Sequence, residues 1–101
     1  MWLFILFDLP VKKKTERRAY TNFRKQLIRE GFSQMQYSVY ARYFESADSS
    51  NREARFIQSV LPSNGQVRIL AVTDAQYGKM KVFHGKKQGQ TEKTPDQFLL
   101  F

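Results

Sequence analysis

Asp8 is the residue of this chain best placed to do chemistry. It closes the apolar run Trp2-Leu3-Phe4-Ile5-Leu6-Phe7 and stands directly before Leu9-Pro10 and the lysines Lys12, Lys13 and Lys14. A carboxylate beside a cluster that attracts phosphate is repelled by that phosphate unless a cation lies between them. Mg²⁺ suits the role, because it takes one or two carboxylates and fills its other positions with water and phosphate oxygens. One Asp per chain makes a weak site. A two-fold dimer, however, could set two copies of Asp8 against one hydrated metal, which would activate water toward a phosphodiester. The structural alternative is that Asp8 only shapes the turn into Leu9-Pro10.

Few other residues compete with Asp8. Cysteine is absent and the single histidine is His84, which excludes disulfides, Cys/His zinc sites and cysteine nucleophiles. His84 sits on a short predicted strand near lysines and reads as structural or surface. Ser38 and Gln36 fall on the more polar side of a second predicted strand, where they could orient waters. Asp74 ends the third predicted strand, which is expected to lie parallel to and beside the first. It is therefore a candidate for the same edge as Asp8, the alternative being a cap on an Ala75–Gly78 turn.

The positive charge is concentrated. The 101 residues carry 17 Lys and Arg against 9 acids, a formal net charge of +8. Residues 11–29 hold Lys12, Lys13, Lys14, Arg17, Arg18, Arg24, Lys25 and Arg29 against Glu16 alone, a net +7. Lys14, Arg18, Lys25 and Arg29 fall on one helical stripe away from the apolar face. Three lysines at a helix N-terminus oppose the macrodipole, which is already positive there. The arrangement makes sense if an anion binds at that end, where lysines and free backbone N–H groups converge on phosphate. Residues 79–93 add five lysines against Glu92. No zinc finger, helix-turn-helix or Gly-rich phosphate loop is present. Binding should follow shape and charge more than base sequence.

The elements that must position these residues are legible in the periodicity. Residues 2–7 read as a buried strand and residues 12–30 as a helix with Tyr20, Phe23 and Leu27 inward and Gly31 as its stop. Phe32 to Tyr43 alternates as one strand. Ser46 to Asn51 offers caps for a second helix carrying Ala54, Phe56, Ile57, Val60 and Leu61, ended by Pro62. Gln66–Thr73 reads as a further strand and Lys79–His84 as a short last one. Their order is taken as βαββαβ, an α+β ferredoxin-like antiparallel sheet with helices on one face. That domain is expected over residues 1–85, with a tail over 86–101. The first strand is apolar on both faces while helices cover only one. A second copy is the simplest cover for the other face, and folded-back loops or tail the alternative. No run is long enough to span a membrane and no signal peptide is recognised, so a cytoplasmic protein is expected.

Several features together resemble a family. They are Phe7-Asp8 closing the first strand, the basic first helix, Gln36-Tyr37-Ser38-Val39, and the later stretch Leu70-Ala71-Val72-Thr73-Asp74-Ala75-Gln76. They are similar to the small CRISPR-associated endonuclease of spacer acquisition, partner of the CRISPR integrase subunit, in the branch that accompanies the large RNA-guided nuclease. The resemblance implies a homodimer with strand-one aspartates meeting at the two-fold axis. It also implies a C-terminal segment, here Phe98-Leu99-Leu100-Phe101, added as an edge strand. Members are described as metal-dependent endonucleases on RNA or double-stranded DNA, and as the bridge that holds DNA between integrase dimers. Asp8 carries over as metal ligand and catalytic residue, Arg17 and Arg18 as basic helix positions, and Ser38 as the strand-two serine. The competing expectation is a non-catalytic duplex-binding adaptor in which Asp8 is structural. A monomeric RNA-recognition module fits worse, because Val67–Val72 lacks the aromatic pair that would stack bases.

Overall fold

A computed structural model describes residues 1–94 of the chain. Four strands form one antiparallel sheet: β1 (Trp2–Asp8), β2 (Ser33–Gln36), β3 (Val39–Tyr43) and β4 (Gln66–Val72), in the spatial order β2-β3-β1-β4. Helices α1 (Lys14–Arg29) and α2 (Ala47–Ser59) make the two crossovers. This is the expected ferredoxin-like plan. A short helix α3 (Asp74–Gly78) and a separate hairpin of β5 (Val82–His84) and β6 (Lys87–Gly89) follow. The Phe98–Phe101 edge strand expected from the sequence lies outside the described residues.

The central position of β1 explains its composition. It pairs antiparallel with both β3 and β4, so neither of its edges is free. Leu3, Ile5 and Phe7 point to the helices and join Phe23, Leu27, Phe32, Tyr40, Phe44 and Ile57 in the main core. Trp2, Phe4 and Leu6 point to the other face, as the alternation predicts. There Trp2 packs with Ala41 and Tyr77 in a second, smaller cluster.

Helix α1 buries Phe23 and Leu27 and leaves its basic stripe in solvent. It ends in a Schellman motif. Gly31 takes φ +87°, its N–H bonds Ile28 O, and the Phe32 N–H bonds Leu27 O, both at 3.0 Å. Helix α2 is capped by Ser46, whose Oγ accepts from the Ser49 N–H at 3.2 Å. Of its expected apolar positions Ile57 is fully buried, while Phe56 and Leu61 are exposed.

Four expectations are corrected. Phe32–Tyr43 is not one strand but the β2–β3 hairpin, turning at Tyr37–Ser38, with an irregularity between Gln34 and Gln36. The bulge shifts the phase, so the alternation runs unbroken through a turn that carries no Gly, Pro or Asn. Strand β4 runs antiparallel to β1, not parallel. Lys79–His84 does not enter the main sheet: Val82–His84 pairs with Lys87–Gly89, and the expected 85/86 junction falls in that hairpin's turn. The Ala75–Gly78 turn belongs to helix α3.

Candidate functional site

Asp8 is the last residue of β1, in register with Gln66 at the start of β4. Alternation puts its side chain on the face without α1 and α2, together with Phe4 and Leu6, and it is exposed. Among the described residues the carboxylate has no hydrogen-bond or ion-pair partner. Its backbone is held closely from behind. Gly65 takes φ +90°, and a Cβ there would lie 2.7 Å from both the Asp8 carbonyl oxygen and Leu9 Cδ2. Only glycine lets the α2–β4 turn approach so near, which fixes where β1 ends and Asp8 emerges.

The lysine cluster follows immediately. Lys12 and Lys13 lie in the lead-in to α1 and Lys14 is its first residue, all three exposed. Lys13 occupies the N-cap and offers no acceptor; instead Glu16 Oε1 accepts from the Lys13 N–H at 2.8 Å. The one acid of the segment is thus committed to the helix start. Arg17 is also partly committed: its Nη1 donates to Val11 O at 3.2 Å and to Lys12 O at 2.6 Å, bracing the lysine-bearing loop. Arg18, Lys25 and Arg29 are exposed and share the outer stripe with Lys14.

Ser38 is brought to the Asp8 end. Its carbonyl accepts from the Phe7 N–H at 3.1 Å, one residue from Asp8. Its neighbour Tyr37 stacks on Tyr20 with ring centroids 6.3 Å apart and planes at 26°. Burial raises the Tyr20 hydroxyl pKa above its ordinary value. A hydrogen bond with Tyr37 adds to the rise and one with Ser38 opposes it.

Asp74 is not brought to this end. It follows β4 where Val72 faces Trp2, the full length of β1 from Asp8 and about 20 Å away at ~3.3 Å per residue. There its carboxylate pairs with the N-terminal ammonium of Met1. It does not cap α3 either, because Thr73 does: Thr73 Oγ1 accepts from the Gln76 N–H at 3.1 Å, and Gln76 Oε1 accepts from the Thr73 N–H at 2.9 Å. The Thr73-x-x-Gln76 spacing was the signal for this cap. His84 is exposed on β5.

Sequence reasoning passed over Arg68. It is the one basic residue of β4, in register with Leu6 and therefore on the same face as Asp8, and it is exposed. Alternation along Gln66-Val67-Arg68-Ile69-Leu70 was the available signal. Among the described residues no three His, Asp or Glu side chains cluster as a metal cage. Each chain therefore offers a metal one free, solvent-facing carboxylate at this end. That oxygen donor fits Mg²⁺, which takes few protein ligands and retains water.

Comparison with known proteins gives the family. The family model described as CRISPR associated protein Cas2 matches residues 1–80. The CRISPR-associated endoribonuclease Cas2 of Parvibaculum lavamentivorans is 43% identical over 101 residues, spanning 100% of both chains. The protein of that name from Flavobacterium psychrophilum is 37% identical, over 100% of this chain and 88% of its own. That from Ligilactobacillus salivarius is 41% identical over 99% of each. A ferredoxin-like sheet, an aspartate closing its central strand, a basic first helix and identity along the whole chain converge, and the chain belongs to the Cas2 family of CRISPR-associated proteins.

Proposed function

We propose that this protein is a divalent-metal-dependent endonuclease of CRISPR adaptation, acting as a homodimer on RNA or double-stranded DNA. In that setting it also bridges duplex DNA to the integrase subunit. The observation that carries the reading is the free Asp8 carboxylate, exposed on the same sheet face as an uncovered apolar surface. Phe4 and Leu6 are half-buried there and Leu70, in register with Phe4, is 51% exposed. A second copy covering that surface is the arrangement that draws two Asp8 side chains toward each other. The names of the relatives support a nuclease.

The two Asp8 carboxylates would hold one Mg²⁺. When bound, the metal supplies an activated water and neutralises charge on the phosphate. The chain's own residues do the rest. Lys12, Lys13, Lys14 and Arg18 attract and seat the phosphate backbone, and Arg17 fixes the loop that presents the lysines. Ser38, at the same end, orients water or a phosphate oxygen. The fit of one carboxylate per chain also favours a second reading, a duplex-binding adaptor in which Asp8 does no chemistry.

Asp8→Asn separates the two, because it removes the charge and nearly preserves shape. Metal-dependent cleavage of single-stranded RNA and duplex DNA should fall by orders of magnitude. Duplex binding without metal should hold or tighten, since negative charge beside the phosphate path is gone. Undiminished cleavage by the purified variant would leave the adaptor reading standing.

A further inference from the structure

The outermost ring of the main aromatic cluster has no role in the fold that would explain its exposure. Tyr37 is 75% exposed, the most exposed large hydrophobic residue of the described chain. The turn that carries it is nonetheless tied down. Its carbonyl accepts from Gln34 Nε2 at 3.2 Å, and the next residue, Ser38, is tied to Phe7. One face of its ring stacks on Tyr20. Tyr20 in turn packs 5.9 Å from Phe7, which meets Phe23 and Tyr40 at 5.3 and 5.7 Å. A row of rings thus runs from the core to solvent and ends in a flat surface held on one side and open on the other.

Position and charge identify what that surface fits. The ring stands on the hairpin turn at the Asp8 end of the sheet. Arg17 and Arg24 lie three residues before and four after Tyr20, hence on its side of α1. The segment from residue 11 to 29 that carries Tyr20 has a net charge of +7. An aromatic surface with one free face, beside a helix of strongly positive charge, is complementary to a nucleobase attached to a phosphate backbone. A base inside a blunt duplex is already stacked and cannot use it.

We propose that Tyr37, backed by Tyr20, is a stacking site for an unpaired nucleobase of a single-stranded nucleic acid, at the same end of the sheet as Asp8. The sheet lacks such a surface, and the hairpin turn supplies it instead. The inference deepens the nuclease reading and rests on it only for the meaning of the site, as it would hold one unpaired nucleotide of a strand whose backbone passes the Asp8 end of the sheet.

Binding in EDTA tests it without cleavage. Single-stranded RNA and a blunt DNA duplex carrying the same number of phosphates are titrated by fluorescence anisotropy with wild type, Tyr37→Phe, Tyr37→Ala and Asp8→Asn. Tyr37→Ala should weaken single-strand binding about tenfold, leave duplex binding unchanged and leave the salt slope unchanged, because stacking releases no counterions. Tyr37→Phe should bind as wild type does, and a strand made entirely of abasic nucleotides should abolish the difference between wild type and Tyr37→Ala. Equal loss on single strand and duplex, no loss on either, or a changed sedimentation coefficient for Tyr37→Ala would overturn the site. In the last case Tyr37 contacts protein. An Asp8→Asn protein that binds normally in EDTA and still cleaves once Mg²⁺ is restored would remove Asp8 from the nuclease reading while leaving the stacking site intact.

Discussion

The two ends of β1 are built for opposite purposes. At the Trp2 end every group is tied down. Trp2 stacks on Tyr77 at 4.1 Å with planes 7° apart and meets Tyr43 edge-on at 5.6 Å. Its indole N–H donates to Thr94 Oγ1 at 3.3 Å, and the Tyr77 hydroxyl donates to Glu92 Oε2 at 2.7 Å. Burial first, and then this bond to Glu92, push the Tyr77 hydroxyl pKa far up, so the ring stays neutral. The residues after the sheet thus fold back and cover part of the second sheet face, as the alternative to a dimer partner anticipated. Six residues away along the strand, Asp8 has no partner among the described residues, its side chain is exposed, and exposed cations crowd the chain that follows. On the sheet face without α1 and α2, packing is concentrated at the Trp2 end and free charge at the Asp8 end.

The contrast can be broken most forcefully at its buried end. Trp2→Ala removes the packing on Tyr77 and Tyr43 and the bond to Thr94, and should cost about 3–5 kcal/mol in urea unfolding. Asp8→Asn should stay within about 0.5 kcal/mol of wild type. Comparable losses from the two would erase the distinction between the ends.

A smaller effect tests whether buried charge elsewhere follows the same rule. Glu53 on α2 is held near Arg42, whose Nη1 lies 3.5 Å from Oε1 and bonds Glu30 O at 2.7 Å. Among the described residues no donor reaches the buried Glu53 Oε2. Burial, then hydrogen bonding and repulsion from Glu30, raise its pKa from 4.5 to about 7, with Arg42 opposing. The folded state therefore holds this proton more tightly than the unfolded chain. The stabilisation is complete below about pH 4.5 and is lost as pH rises toward 7. Relative to Glu53→Gln, wild type should lose on the order of 2 kcal/mol between pH 4.5 and 8. Parallel stability–pH curves for the two proteins would show that folding does not raise the Glu53 pKa.

The smallest effect has opposite signs in two measurements. Changing Lys12, Lys13 and Lys14 together to Gln should raise stability by about 0.3–1 kcal/mol, because their charges oppose the α1 dipole. The log–log salt slope of duplex binding should flatten by about 0.9 for each phosphate that is no longer neutralised. An unchanged slope would move the binding face to the lysines of residues 79–93.

Much of this division was legible in the residues. An apolar run ended by Asp8, Gly31 after an amphipathic helix and Pro62 after a second one mark boundaries by covalent geometry or by burial, both local properties. The Tyr37–Ser38 turn was hidden because a bulge preserved the alternation across it. The direction of β4 and the distance of Asp74 from Asp8 depend on sheet pairing, which no local pattern states. Thr73's cap and Arg68's face were written in the sequence as a four-residue spacing and as strand parity. Arg17's attachment to its own loop was not, because a basic residue facing solvent and one curling back on carbonyls read alike.

A metal site at the open end of β1 that is completed by a second copy of the chain must bind metal in a fixed ratio to protein. Calorimetric titration of the protein with Mg²⁺ should give one ion for two chains, and Asp8→Asn should abolish the binding while its urea midpoint stays at that of wild type. One ion per chain, or undiminished binding by Asp8→Asn, would contradict the account.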